Sequence, residues 1–136
     1  IDKISSVYES QSWGFVGSNF FNCCVKIKTF YSPYQLLKKI QKVEKKLGRV
    51  NVKKESLYSS RTIDLDILFF DNLIVNKKEL IIPHPRVELR NFVLVPLSEI
   101  SKNLVHPISG RTIEEIIELK KDKSLVEKTK LCIYDL

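Results

Sequence analysis

Apolar and polar positions alternate most clearly over residues 62–70, where Ile63, Leu65 and Ile67 share one side and Asp64 and Asp66 the other. A two-residue period predicts a β-strand with one face against a core. Residues 3–10 predict an earlier strand, followed by a loop with Trp13, Gly14 and Gly17, and residues 20–30 a second strand. Ser32-Pro33 then predicts a helix start, a hydroxyl N-cap before proline at the first helical position. Leu36, Leu37, Ile40, Val43 and Leu47 recur at helical spacing with lysines opposite, and Gly48 ends the run. Residues 49–60 are polar and irregular, as in a surface loop. Asp71-Asn72 predicts a turn into a short return strand at 73–75, and Pro83 and Pro85 an extended bend around His84. Residues 92–101 predict a helix that Pro96 breaks or delays. A last helix is expected at about 112–120, capped by Thr112 with Glu115 three residues on. The interleaved elements predict one α+β domain over residues 1–136, a two- or three-layer sandwich of helices on a mostly antiparallel sheet.

Composition changes this picture little. The 136 residues are 43% hydrophobic and 29% charged, enough for one core. No apolar stretch is long enough to span a bilayer, and no signal-peptide pattern opens the chain. Cys23, Cys24 and Cys132 give neither a disulfide framework nor metal-ligand spacing, so free thiols and a cytoplasmic setting are expected. The net charge of +7 would attract nucleic acids, anionic membranes or nucleotides. Most lysines read as solvated helix faces, whereas Arg49, Arg61, Arg86 and Arg90 lie beside residues with chemical potential.

Two carboxylates on one face of a strand repel unless a cation neutralises them. Mg²⁺ suits hard oxygen ligands and binds one or two carboxylates together with substrate phosphates. Asp64 and Asp66 are therefore candidate metal ligands, although the same spacing fits two acids facing water. Arg61 could grip a phosphate or pair with one of the aspartates. His84, on its rigid Pro-His-Pro step, and Arg90 could hold a phosphate chain, or His84 could be a structural histidine in a proline-rich loop. His106 attracts no functional role. Phe20, Asn22 and Phe92 could surround a planar heterocycle, the amide reading its edge, or the two rings could belong to the core.

The run Ser60-Arg61-Thr62-Ile63-Asp64-Leu65-Asp66-Ile67-Leu68 resembles the signature of the 6-hydroxymethyl-7,8-dihydropterin pyrophosphokinase family. The resemblance continues through Pro83-His84-Pro85-Arg86 and Arg90-Asn91-Phe92-Val93-Leu94-Val95-Pro96-Leu97. It extends to Ser6-Val7-Tyr8-Glu9, Phe20-Phe21-Asn22, and Glu44 with Leu47-Gly48-Arg49. It covers roughly residues 4–119 in order.

What the resemblance implies is a ferredoxin-like α+β fold and a Mg²⁺-dependent diphosphotransferase of folate biosynthesis. Two Mg²⁺ ions would sit on Asp64 and Asp66, and Arg61, His84 and Arg90 would contact the phosphates of ATP. Arg49 would be a further basic catalytic contact, and Glu44 would lie near the nucleotide. Phe20, Asn22, Tyr58 and Phe92 would hold the pterin. The pterin hydroxymethyl oxygen would attack the β-phosphorus of ATP and AMP would leave, with metals and arginines carrying the charge. A loop at 50–60 would close over the site. ATP and the pterin are the expected partners of a monomer, without nucleic acid or membrane.

Three features depart from the family pattern. Tyr58-Ser59-Ser60 replaces Trp-Gly-Pro, and Asn51 and Val52 occupy basic positions in a loop of unusual length. The family's opening strand and helix have no counterpart, and Gly17-Ser18-Asn19 does not replace them, so Ile1 is expected to mark a truncation. The competing readings are an inactive remnant of such a kinase and a basic nucleic-acid-binding α/β module. The second is disfavoured because its best strand would display two acids to phosphate.

Overall fold

The computed structural model describes residues 1–11, 19–47, 63–120 and 124–132, which divide into two compact units. The described elements are α-helices and short antiparallel ladders, an α+β fold.

Unit 1 comprises Ile1–Thr29 and Pro85–Leu136. Its chain enters through β1 (Lys3–Ile4) and β2 (Tyr8–Ser10), which pair with β4 (Val25–Lys26) and β3 (Phe20–Asn22) respectively. The expected strands at 3–10 and 20–30 are thus each split, and the second ends at Lys26. The split is a bulge. Ile4 faces Val25 and Tyr8 faces Asn22, so the first strand spends one residue more than its partner between the ladders. Ser5 closes the near side, its N–H donating to Cys24 O and its hydroxyl accepting from Cys24 N, both at 2.9 Å.

The extra residue leaves the Ser6 N–H without a ladder acceptor, and Glu99 supplies one at 2.9 Å. Glu99 also accepts from the Ser6 and Tyr8 hydroxyls and from Lys128 Nζ. Burial pushes the Glu99 carboxyl up, but its donors, Ser6 foremost, together hold it below its ordinary value of 4.5. Lys128 lies on β7 (Val126–Lys128), a strand that sequence patterning missed, which completes the order β3-β2-β7.

After a 3₁₀ turn at Val87–Leu89, α2 (Asn91–Ser101) packs against β2, β3 and β7 and against α3 (Ile113–Leu119). Pro96 lies inside α2 and does not break it. It is buried with Leu94 and Leu97, so packing offsets the missing N–H. Val7, Leu94 and Ile113 form the centre of the core. α3 begins with the expected capping box, Thr112 and Glu115 exchanging hydrogen bonds of 2.8 and 3.2 Å.

Unit 2 comprises Phe30–His84. Its helix α1 (Pro33–Lys46) starts as expected at Ser32, and Gln35 completes a capping box there. Its buried stripe differs from the expected one. Val43 and Leu47 are exposed, and the residue that goes inside in the last full turn is Glu44, 2% exposed. The segment 63–70 keeps the expected alternation, Ile63 and Leu65 half-buried between exposed Asp64 and Asp66, but forms no ladder strand among the described residues. A ladder needs a continuous backbone partner. Here the Leu65 N–H goes to a side chain, Glu44, and Leu68 O accepts from His84 N at 2.9 Å. The turn at Asp71-Asn72 is present, with Asp71 at φ 47°. It does not join two paired strands. The hairpin lies further on, between β5 (Val75–Lys77) and β6 (Leu80–Ile82).

Candidate active site

The acidic candidate residues lie in unit 2. Asp64 and Asp66 are two residues apart on the same exposed side of their extended segment. Half-buried Leu65 between them anchors the backbone by donating its N–H to Glu44 Oε1 at 3.0 Å. His84 follows β6, and its Nε2 lies 3.9 Å from Asp66 Oδ2. The structure therefore brings Asp66 and His84 together, as expected of residues serving one site. One carboxylate oxygen of Glu44, expected near the nucleotide, accepts from the backbone of the aspartate segment.

Among the described residues no group of three or more His, Cys, Asp or Glu side chains is gathered to hold a metal. Mg²⁺ dehydrates reluctantly and is held by one or two carboxylates plus substrate phosphates, a donor set that Asp64 and Asp66 fit. Two exposed carboxylates side by side fit an ion that arrives with a phosphate chain.

The aromatic and amide candidate residues lie in unit 1. Phe20 and Asn22 occupy alternate positions of β3 and so share a face. Phe20 is 55% exposed, which rules out the alternative that it is a core residue. Asn22 donates from Nδ2 to Ser10 Oγ at 3.2 Å, on the strand beside it. That bond fixes the amide's orientation and leaves its oxygen as an acceptor. Phe92 is half-buried in the first turn of α2, and the Arg90 guanidinium lies 5.5 Å from the centroid of its ring. A cation over a ring face at that distance is attracted by the ring's quadrupole, so two expected site residues support each other.

Arg49, Tyr58 and Arg61 lie outside the described residues, as do Trp13 and the expected loop at 50–60. His106, given no role from sequence, is buried, and its Nδ1 accepts the N–H groups of Ile108 and Ser109. It is a structural histidine. Cys23, Cys24 and Cys132 are free thiols, and burial, with Cys23 adjacent, pushes Cys24 up to about 12. Cys24 is thus no nucleophile.

Sequence reasoning missed the hydrogen bond from Leu65 to Glu44 and the cluster around Glu99. Glu44 did leave a signal, an acid two turns beyond Leu37 and one beyond Ile40 on an otherwise basic helix end. Glu99 left none, because its donors come from β2, β7 and the bulge, which only the folded chain brings to it.

The family model for 7,8-dihydro-6-hydroxymethylpterin-pyrophosphokinase matches residues 1–102. The chain is 45% identical over 116 residues to the 2-amino-4-hydroxy-6-hydroxymethyldihydropteridine pyrophosphokinase of Aquifex aeolicus, covering 85% of this chain and 71% of that one. It is 46% identical over 117 residues to the folic acid synthesis protein fol1 of Pneumocystis carinii, covering 85% of this chain but 15% of that protein. The pyrophosphokinase of Synechocystis is 38% identical over 118 residues, covering 87% of this chain and 59% of the relative. The chain thus spans only part of each.

Proposed function

The chain belongs to the 7,8-dihydro-6-hydroxymethylpterin-pyrophosphokinase family, and from that premise we propose that it transfers pyrophosphate from ATP to the hydroxymethyl group of 6-hydroxymethyl-7,8-dihydropterin, releasing AMP, as a step of folate synthesis. The observation that carries the reading is the side-by-side exposure of Asp64 and Asp66 on an anchored segment, with His84 Nε2 3.9 Å from Asp66.

Asp64 and Asp66 hold Mg²⁺, two ions in this reading, and the ions would neutralise charge on the phosphates. His84 and Arg90 bind and orient the phosphate chain, together with Arg61 and Arg49. Arg90 carries its charge on a guanidinium already placed over Phe92. Asn22, its amide fixed by Ser10, hydrogen-bonds the pterin edge. Phe20 and Phe92 lie against the pterin ring, and Tyr58 is a further ring contact. Holding both substrates in line is the main contribution, because phosphoryl-type transfer asks little covalent chemistry of the protein.

The working protein is a cytoplasmic monomer, and residues 1–136 belong to one domain of it. The three free thiols support a reducing setting. No helix among the described residues is long and apolar enough to cross a membrane.

The test is AMP formation from ATP in the presence of the pterin, with and without Mg²⁺, in the complete protein. Pterin-dependent AMP release that needs Mg²⁺ and disappears in Asp66→Ala supports the reading. Release of ADP, or activity indifferent to Asp66, overturns it.

A further inference from the structure

The Glu44 carboxylate is 2% exposed in the last full turn of α1, and its Oε1 accepts the N–H of Leu65 at 3.0 Å. Leu65 is the residue between the two aspartates. Their segment forms no backbone ladder among the described residues, where the Leu65 N–H is held by a side chain instead of a neighbouring strand. A hydrogen bond from a neutral N–H to a charged acceptor is shorter and stronger than a neutral one, and more so in a dry site. It also fixes the peptide plane on one side of Leu65, and hence the directions of the flanking side chains.

We propose that Glu44 is a positioning residue for the divalent-cation ligands: by holding the Leu65 N–H, its buried carboxylate sets the geometry in which Asp64 and Asp66 present their oxygens together. The inference rests on the metal-binding reading of those two aspartates. It reassigns Glu44 from a direct contact with the nucleotide to an internal one with the aspartate segment. Groups that orient metal ligands from behind are worth about 10–100-fold in metal affinity.

Two conservative variants separate reach from charge. Glu44→Gln keeps an acceptor oxygen at the same reach and removes the charge. Glu44→Asp keeps the charge and withdraws the oxygen by one methylene. Two quantities are measured in the complete protein: Mn²⁺ affinity in the presence of ATP, by electron paramagnetic resonance, and hydrogen exchange of the Leu65 amide without metal.

Positioning predicts that Glu44→Gln keeps both the affinity and the protection of Leu65. It predicts that Glu44→Asp loses about 10-fold or more in Mn²⁺ affinity and exchanges Leu65 faster. The reverse pattern means Glu44 acts by its charge on nucleotide or metal, and overturns the proposal, as does any result in which the two variants behave alike. Asp64→Ala and Asp66→Ala serve as the reference. If they leave Mn²⁺ binding intact, the metal reading itself fails. If they abolish it while Glu44→Asp does not weaken it, only the positioning role fails.

Discussion

The two units solve the same local problem with opposite surroundings. In each, a backbone N–H lacks a ladder acceptor and a glutamate on a helix takes it, Glu99 for Ser6 in unit 1 and Glu44 for Leu65 in unit 2. Glu99 stands at the surface among three further donors, on a sheet already fixed by paired strands. Glu44 is buried, and the segment it holds has no ladder among the described residues. The bond in unit 1 is one of several on its sheet, whereas among the described residues the bond in unit 2 and that from His84 N to Leu68 O tie a segment without a ladder.

The largest effect expected on this contrast is chemical. Asp64→Ala or Asp66→Ala should lower product formation by about 100-fold or more, since a bound ion supplies several kcal/mol of charge stabilisation. Both side chains are exposed, so the thermal midpoint should hardly move, and a large drop in that midpoint would break the assignment of these acids to function. Next comes Leu94→Ala, which removes a fully buried side chain from the centre of unit 1. It should cost about 2–5 kcal/mol in denaturant unfolding. Faster hydrogen exchange should appear first in α2 and the β3-β2-β7 sheet.

A smaller effect compares the helix caps. Ser32→Ala and Thr112→Ala each remove a capping box and should each cost about 1 kcal/mol. Loss of protection localised to α1 for one and to α3 for the other would sharpen the division into units. The smallest effect is pH-dependent. Glu99 is held below 4.5 in the folded protein, so its contribution is present above that pH and fades as pH falls through the lowered value. Glu99→Gln should therefore flatten the loss of stability below about pH 4.5. An unchanged acid limb in thermal melts would remove Glu99 from the account.

Local rules carried the reading wherever a few neighbouring residues decide the outcome. The caps at Ser32 and Thr112, the turn at Asp71-Asn72 and the exposed aspartate pair are all of that kind. The misreadings arose where distant parts of the chain decide. The strand at 62–70 keeps its alternation without a ladder because its backbone bonds reach Glu44 and His84. Val43 yields the inside of α1 to Glu44 for the same reason. Pro96, which locally argues for a break, is retained because α2 is buried around it. Of the candidate site, residue types and their sharing of faces were legible, whereas what orients each group was not. The Ser10 bond to Asn22 and the seat of Arg90 on Phe92 depend on which elements meet.

The irregularity at Ser6 also works as a parity switch. Side chains on a strand alternate, so one added position inverts every later assignment of inside and outside. If the chain ran from Ile4 to Tyr8 in step with its partner, β2 would meet β3 in a register shifted by one, and the opposite set of side chains would pair. The row that carries Phe20 and Asn22 is therefore chosen sixteen residues upstream of Asn22, by a serine whose hydroxyl bonds Glu99.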